Sequence, residues 1–392
     1  MYKIRTLNNI AVAGLRRFPR ERYEVASDIA RPDAILVRSA DLHSMEIPDS
    51  VVAIGRAGAG VNNIPVKAMS ARGVPVFNAP GANANAVKEL VIAGLLVAAR
   101  NLCDARDYVR SLTMEGKELA QAVEAGKKQF VGFELPGRTL GVIGLGAIGV
   151  EVANTALALG MNVIGFDPDI TVKRAWQLSS GVQQADTLDH LFKRSDAVTV
   201  HVPLIEATHH LVNRDRLALM PGKGVLINFA RGAVVDNAAV LAALDAGRLR
   251  TYVCDFPAPE LLRHPKVIAL PHLGASTVEA EENCAVMVAD TLRDYLENGN
   301  IRNSVNFPEA VMPRTDTWRI TIANANVPNM VGQISTALGE VNLNIEDLLN
   351  KSLGESAYTI VDLDGPVPEA TLSKLAAIKG VLSLRNLGKP IS

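Results

Sequence analysis

The 392-residue sequence has little cysteine, no excess of either charge and no long hydrophobic run. Its three cysteines, Cys103, Cys254 and Cys284, are an odd number, widely spaced and without a Cys-x-x-Cys pair. That usage argues against a disulfide framework or a metal site, and a reducing cytoplasm is the expected setting. Forty Lys and Arg balance 41 Asp and Glu to a net charge of −1. Such a chain has no global attraction for nucleic acid or an anionic membrane, so neither is expected as a partner. The longest apolar stretch, 90–99, is ten residues between Glu89 and Arg100. It suits a buried helix and is about half of what a bilayer crossing needs. The N-terminus has no apolar core of signal-peptide length before its arginines. There is no internal repeat and no low-complexity tract. What is present is an ordinary globular mix, 48% apolar and 21% charged. At about 150 residues per domain, the length suits two or three domains.

Short apolar runs at 34–40, 51–60 and 73–80 read as strands, with a helix between them at 61–72. Strands alternating with helices imply parallel pairing and an α/β layer. Long helical patterns follow from about Ala86 to Ala125. A second strand–helix series has strands at 139–144, 161–167, 195–203, 224–232, 251–256 and 267–272, several of them continuously apolar. That is the pattern of a sheet covered on both faces. A long helix is expected from Thr277 to about Asn298, and the two prolines of 303–314 mark a linker region. The last 75 or so residues read strand, helix, strand, strand, helix, strand, the ferredoxin-like arrangement.

Gly144-Leu145-Gly146-Ala147-Ile148-Gly149 fits Gly-x-Gly-x-x-Gly. The motif alone is weak, but here it follows an apolar strand and opens a helix, and the next strand ends in Asp167, 18 residues after Gly149. Gly144 allows the tight turn, Gly146 lets backbone approach a pyrophosphate, and Gly149 lets helix and strand pack closely. The acid suits a ribose bearing two free hydroxyls and repels a 2′-phosphate, so NAD is the expected cofactor.

Three polar residues stand at the ends of strands in the same series. Arg231 follows the 224–230 run, Glu260 lies beyond the 251–256 strand, and His272 ends the 267–272 strand. In an open parallel sheet, ligands bind beyond the carboxyl ends of the strands. Hydride transfer from a 2-hydroxy acid needs a base, a carboxylate-gripping cation and a group that tunes the base. Histidine, arginine and a carboxylate supply these in turn. Each also has an ordinary structural reading when taken singly.

With these motifs in view, residues 1–310 resemble the D-isomer-specific 2-hydroxyacid dehydrogenases. The resemblance rests on residues 142–149, 227–236, 255–260 and 271–277. The stretches 56–64, 78–96 and 305–308, with the C-terminal domain, narrow it to the branch that oxidises D-3-phosphoglycerate with NAD, the first step toward L-serine. The remaining readings are another D-2-hydroxy acid reductase and a non-catalytic NAD-sensing regulator. The resemblance implies an α/β fold with three parts: a Rossmann-type doubly wound nucleotide domain at 98–282, a discontinuous flavodoxin-like substrate domain at 1–97 with 283–310, and a ferredoxin-like ACT regulatory domain at 318–392 after a linker at 311–317. A cleft between the first two would close on the substrate.

The same resemblance assigns roles residue by residue. His272 is the acid–base, Glu260 its partner and Arg231 the carboxylate grip. Arg56, Ala57, Gly58 and Asn83 contact substrate, Arg56 at the phosphate. Val202, Pro203, Ala230, Asp255, Gly274 and Ala275 join the glycine loop at the cofactor, Asp255 orienting the carboxamide. One of Arg100, Arg106 and Arg110 would reach a neighbouring active site. Glu260 departs from the usual pattern in being followed by Leu261, and Lys88 stands where small residues are common. A homodimer or homotetramer is implied, with helices around 100–125 pairing across subunits. L-Serine is the implied effector, held by Asn324, Asn326 and Asn344 of paired domains. Asn329 replaces the glycine usual after Pro328.

Overall fold

A computed structural model describes residues 1–390. The chain folds into two compact units, residues 1–83 with 278–390, and residues 84–277.

In the first unit five parallel strands, Tyr2–Leu7, Tyr23–Ala26, Ala34–Val37, Ala53–Arg56 and Val76–Phe77, lie in the spatial order second, first, third, fourth, fifth. This is the flavodoxin-like order expected from the sequence. Ala34, Ile35, Leu36 and Val37 are all buried, as a strand covered on both faces requires. The strands Tyr2–Leu7 and Tyr23–Ala26 were not anticipated; their mixed burial gives no continuous apolar run. The 21-residue helix Val278–Asn298 returns to cover this sheet. Its buried Ala285, Val288, Leu292 and Tyr295 share a core with Ile4, Leu36 and Phe77.

The C-terminal segment is βαββαβ. Strands Trp318–Ala325, Ile345–Leu353, Ser356–Leu363 and Val381–Gly388 form an antiparallel sheet ordered second, third, first, fourth. Helices Met330–Gly339 and Glu369–Ala376 cover one face through Ile334, Leu338 and Leu375. The ferredoxin-like expectation is met, and the topology is compatible with an ACT-like domain. Its other face is bolted to the end of the returning helix. Arg319, wholly buried, grips Asp362 with two nitrogens at 2.6 and 2.7 Å and donates to the carbonyls of Asn298, Met312 and Pro313. Arg385 donates to the carbonyls of Tyr295 and Leu296, its guanidinium 4.4 Å above the Tyr295 ring. Tyr358 donates to the Gly299 carbonyl at 2.8 Å. The stretch read as a linker is therefore pinned: Met312 is buried, its N–H bonds Asn300, and Arg314 donates to the Gly388 carbonyl.

The second unit is a seven-stranded parallel sheet. In space its strands run Val267–Ala269, Leu249–Cys254, Gly224–Asn228, Ala197–Val200, Thr139–Ile143, Asn162–Phe166 and Gln183–Gln184. The chain order reverses between Thr139–Ile143 and Ala197–Val200, the switch point of a doubly wound fold. The helix Ala84–Arg100 packs on this sheet: Val87, Val91, Leu95 and Ala98 share a core with Val142, Val225 and Val253. Each such side chain, fully buried, contributes roughly 1.5–3 kcal/mol, apart from the smaller alanine. That contact explains why the compact unit begins at Ala84, whereas the sequence reading set a boundary at 97. Helices Leu102–Ser111 and Gly116–Gly126 follow, and only Gly126 in them is buried. No helix among the described residues is long and apolar enough to cross a membrane.

Candidate active site

The glycine loop leaves the strand Thr139–Ile143 and enters the helix Ala147–Ala158. Gly144 sits at φ +88°, and a Cβ there would lie 2.6 Å from the His201 carbonyl oxygen. A Cβ at Gly149 would lie 1.8 Å from the Gly144 carbonyl oxygen, so helix and strand meet only because both residues lack side chains. Around Gly146, which caps the helix, a Cβ would meet nothing within 4 Å. That is the open space a pyrophosphate needs, beside the first-turn N–H groups of Ala147 and Ile148. Val202 packs over Gly144, and the Pro203 carbonyl accepts from Thr208.

Asp167 follows the next strand. Its carboxylate accepts the Leu145 N–H at 2.7 Å and the Asp169 N–H at 2.9 Å. A carboxylate has about four lone-pair directions, so both oxygens keep capacity for ribose hydroxyls. A cavity beside it is lined by Leu145, Ile170, Leu178 and Val182, an apolar slot beside a ribose-type acceptor. These features fit a bound dinucleotide.

Sequence reasoning missed His201, which directly follows the strand Ala197–Val200. Its Nε2 lies 3.0 Å from the Thr199 hydroxyl, its Nδ1 is buried without a partner, and burial pushes its pKa down to about 3. The ring is thus neutral at ordinary pH and adds no charge beside the glycine loop.

Asp255, Arg231 and His272 come together at the carboxyl end of the same sheet. Asp255 is 1% exposed. Its Oδ2 accepts the Gly274 N–H at 3.1 Å, while its Oδ1 is buried without a partner. Burial raises its pKa; the Gly274 N–H, then the charges of His272 and Arg231, act in the opposite direction. The His272 N–H donates to the Asp255 carbonyl at 3.0 Å. His272 holds φ +47°, a conformation non-glycine residues seldom adopt, so the turn over Asp255 fixes where the ring emerges. The ring packs against Phe256, centroids 5.0 Å apart. Gly274 and Ala275 continue that turn, which the Ser276 N–H closes on the Leu273 carbonyl.

Arg231 is held from below by Asn228, another residue the sequence reading passed over. Asn228 is fully buried; its amide donates to the Arg231 carbonyl at 3.0 Å, and its oxygen accepts the Ala230 N–H at 3.1 Å. A polar residue ending a strand buried along its whole length was the signal that could have found it.

Glu260 is not brought to His272. It is exposed and accepts from Asn237 at 2.9 Å, a bond that draws its pKa down. Among the described residues no hydrogen bond or ion pair joins it to His272. The expected pairing is therefore absent from this conformation, the loop through Pro257 and Pro259 directing the acid toward Asn237.

Within the first unit, Arg56 ends the strand Ala53–Arg56 and donates from Nε to the Arg38 carbonyl at 3.0 Å. A Cβ on Gly58 would lie 2.6 Å from an Arg56 guanidinium nitrogen, so that glycine makes room for the side chain. The Ala57 N–H bonds the Val37 carbonyl, and the Asn83 side-chain oxygen is buried without a partner. Lys88, on the Ala84–Arg100 helix, donates to Asn85 one turn earlier. Arg106 pairs with its neighbour Asp107.

In the C-terminal sheet Asn324 is buried with its side-chain oxygen unpartnered, and Asn326 donates to the Gly354 carbonyl at 3.0 Å. Asn344 lies at the far end: Ala325 pairs with Ser356, whereas Ile345 pairs with Leu363. The length between is about 23 Å at 3.3 Å per residue. One chain therefore does not bring Asn326 and Asn344 together around a single amino acid. Asn329 stands at φ +64°, where asparagine is the usual substitute for glycine.

Residues 92–274 match the family described as D-isomer specific 2-hydroxyacid dehydrogenase, NAD binding domain. The chain belongs to this family. It is 32% identical over 355 residues to a D-3-phosphoglycerate dehydrogenase of Haemophilus influenzae, covering 88% of this chain and 83% of the relative. It is 35% identical over 369 residues to that of Methanocaldococcus jannaschii, covering 92% and 65%. The chain spans between about half and two thirds of the length of several curated relatives it matches. Among solved structures, a glyoxylate/hydroxypyruvate reductase of Sinorhizobium meliloti is 27% identical with a TM-score of 0.65, covering 78% of this chain and 98% of the other. An NAD⁺-bound 3-phosphoglycerate dehydrogenase of Entamoeba histolytica is 25% identical with a TM-score of 0.61, at the same coverages.

Proposed function

We propose that the chain oxidises D-3-phosphoglycerate at its 2-hydroxyl with NAD, yielding 3-phosphohydroxypyruvate on the way to L-serine in a reducing cytoplasm. The observation that carries this reading is the cluster of His272, Arg231 and half-satisfied Asp255 at the carboxyl end of a dinucleotide-binding sheet. It is supported by the relatives named D-3-phosphoglycerate dehydrogenase. The unpartnered Asp255 oxygen is an acceptor suited to a carboxamide N–H, and Asp167 to the adenosine ribose. The bound nicotinamide supplies the hydride acceptor. His272 takes the hydroxyl proton, and Arg231 pairs with the substrate carboxylate through two parallel N–H donors. Arg56 supplies charge for the phosphate.

The first test follows NADH at 340 nm with D-3-phosphoglycerate, and in the reverse direction because oxidation runs uphill. His272→Ala should lower kcat by about 10²–10⁴-fold with NADH binding retained. Near-normal turnover would overturn the assignment. Arg56→Ala should raise KM for the phosphorylated substrate far more than for unphosphorylated glycerate. Equal effects on both would favour a reductase of unphosphorylated 2-oxo acids.

The same reading makes the protein a homodimer or homotetramer. Helices Leu102–Ser111 and Gly116–Gly126 support this, because exposed Leu102 and Val109 leave them short of buried contacts. L-Serine, in this reading, is held between Asn326 of one C-terminal domain and Asn344 of a second copy. Calorimetry with millimolar serine tests it, and absence of heat would end it.

A further inference from the structure

The helix Val278–Asn298 brings a carboxylate to the strand end that carries Arg56. Arg38 directly follows the strand Ala34–Val37, and Arg56 ends the neighbouring strand Ala53–Arg56, with Val37 opposite Arg56. The two arginines therefore stand at one end of adjacent strands, which run about 4.8 Å apart. Arg56 donates from Nε to the Arg38 carbonyl at 3.0 Å. The helix packs directly on these strands: a Cβ at Gly55 would lie 2.7 Å from side-chain carbons of Val288 and Leu292. Its first turn carries Glu281, whose carboxylate accepts from Arg38 Nη2 at 2.6 Å. Cys284, buried three residues further on, feels all three groups. Burial raises its pKa, Arg56 and Arg38 act to lower it, and Glu281 acts to raise it.

The Arg38 and Glu281 side chains are 37% and 38% exposed. Pairs that wet are weak and separable, so a doubly charged phosphate can contend for Arg38. The width of one guanidinium then separates phosphate from carboxylate, less than the Debye length of about 8 Å, and the like charges repel. We propose that Glu281 is a specificity-determining residue: a built-in anion on Arg38 that weakens the hold on a phosphate at Arg56. It narrows the preference for phosphorylated over unphosphorylated 2-hydroxy acids. The proposal rests on the reading of Arg56 as the phosphate contact. An uncharged residue at 281 would leave Arg38 to the phosphate as well.

Glu281→Gln keeps the shape of the side chain and removes its charge. Its KM for D-3-phosphoglycerate should fall about fivefold relative to that for D-glycerate, the scale of a half-exposed charge pair. The gain should shrink in 1 M KCl, where the screening length is about 3 Å. Glu281→Asp, which keeps the charge, should stay near the parent. A residue that merely held Arg38 in place would behave oppositely, since freeing Arg38 would disturb Arg56 and raise KM. The second readout is calorimetry with inorganic phosphate on the full-length protein with NADH bound, which needs no turnover. Glu281→Gln should bind phosphate about fivefold more tightly than the parent, and Arg56→Ala should give no heat. If Glu281→Gln lowers the melting temperature, Glu281→Ala takes its place. A parent that fails to turn over D-3-phosphoglycerate would end the proposed activity, and the phosphate titration would still decide this inference. A KM unchanged or raised in Glu281→Gln, a gain indifferent to salt, equal phosphate affinity in parent and variant, or heat that persists in Arg56→Ala would each overturn the proposal.

Discussion

Asp255 and Asp362 are hidden from water to nearly the same degree, 1% and 2% exposed, and are treated in opposite ways by their surroundings. Asp362 has both oxygens on Arg319, whose remaining donors all end on backbone carbonyls. Asp255 has one oxygen on a single N–H and the other on nothing, and burial holds its pKa up. A buried charge completed within the chain fastens the fold. One left half-complete marks where something outside the chain belongs.

The comparison breaks most directly at Arg319. Arg319→Met leaves Asp362 buried and unpaired, and stability should fall by about 3–5 kcal/mol in denaturant melts. Adding Asp362→Leu should recover most of that loss. A single variant as stable as the parent would mean that the pair does not fasten anything.

Asp255→Asn should act the other way on stability while impairing function. Because the folded pKa is raised, the native state favours the protonated acid. The parent therefore loses stability as pH rises from the ordinary aspartate range through the raised value. The melting temperature of Asp255→Asn should exceed the parent's by more at pH 7 than at pH 4. Its KM for NAD should rise about tenfold, the scale of one hydrogen bond to a charged group. A variant less stable at both pH values would put Asp255 in the same class as Asp362.

Glu260 gives the smallest effect and sharpens the contrast, since it is exposed where Asp255 is buried. Glu260→Gln should lower kcat by less than about tenfold, or ~1.4 kcal/mol. A loss as large as that of His272→Ala would show that the acid leaves Asn237 and reaches His272 during turnover.

Much of the architecture is legible in the sequence, because glycine and apolar periodicity act locally. Gly144, Gly149 and Asp167 stand where their spacing put them, and the C-terminal βαββαβ order was readable strand by strand. The strand Gln183–Gln184 was not, because two exposed glutamines carry no pattern. The allegiance of the Ala84–Arg100 helix was also hidden, since its apolar face says that it packs but not on which sheet. Site residues were found by type and position after strands. Their partners were not: nothing in the spacing of Asn228, Asn237 or Gly274 announces a bond to Arg231, Glu260 or Asp255. Asn326 and Asn344 show the same limit, as strand register alone sets them at opposite ends of a sheet.

The pinned stretch around Met312 has a consequence for how the chain would be cut. A protease needs several residues of extended, accessible backbone, and domain junctions usually offer it. Here the crossing is stapled on both sides by Arg319, Arg314 and Asn300. Limited digestion should nick exposed loops before it frees a C-terminal fragment. A clone shortened at this junction would bare the faces of Tyr295 and Phe307 that now meet Tyr358, and should come out of the cell as inclusion bodies.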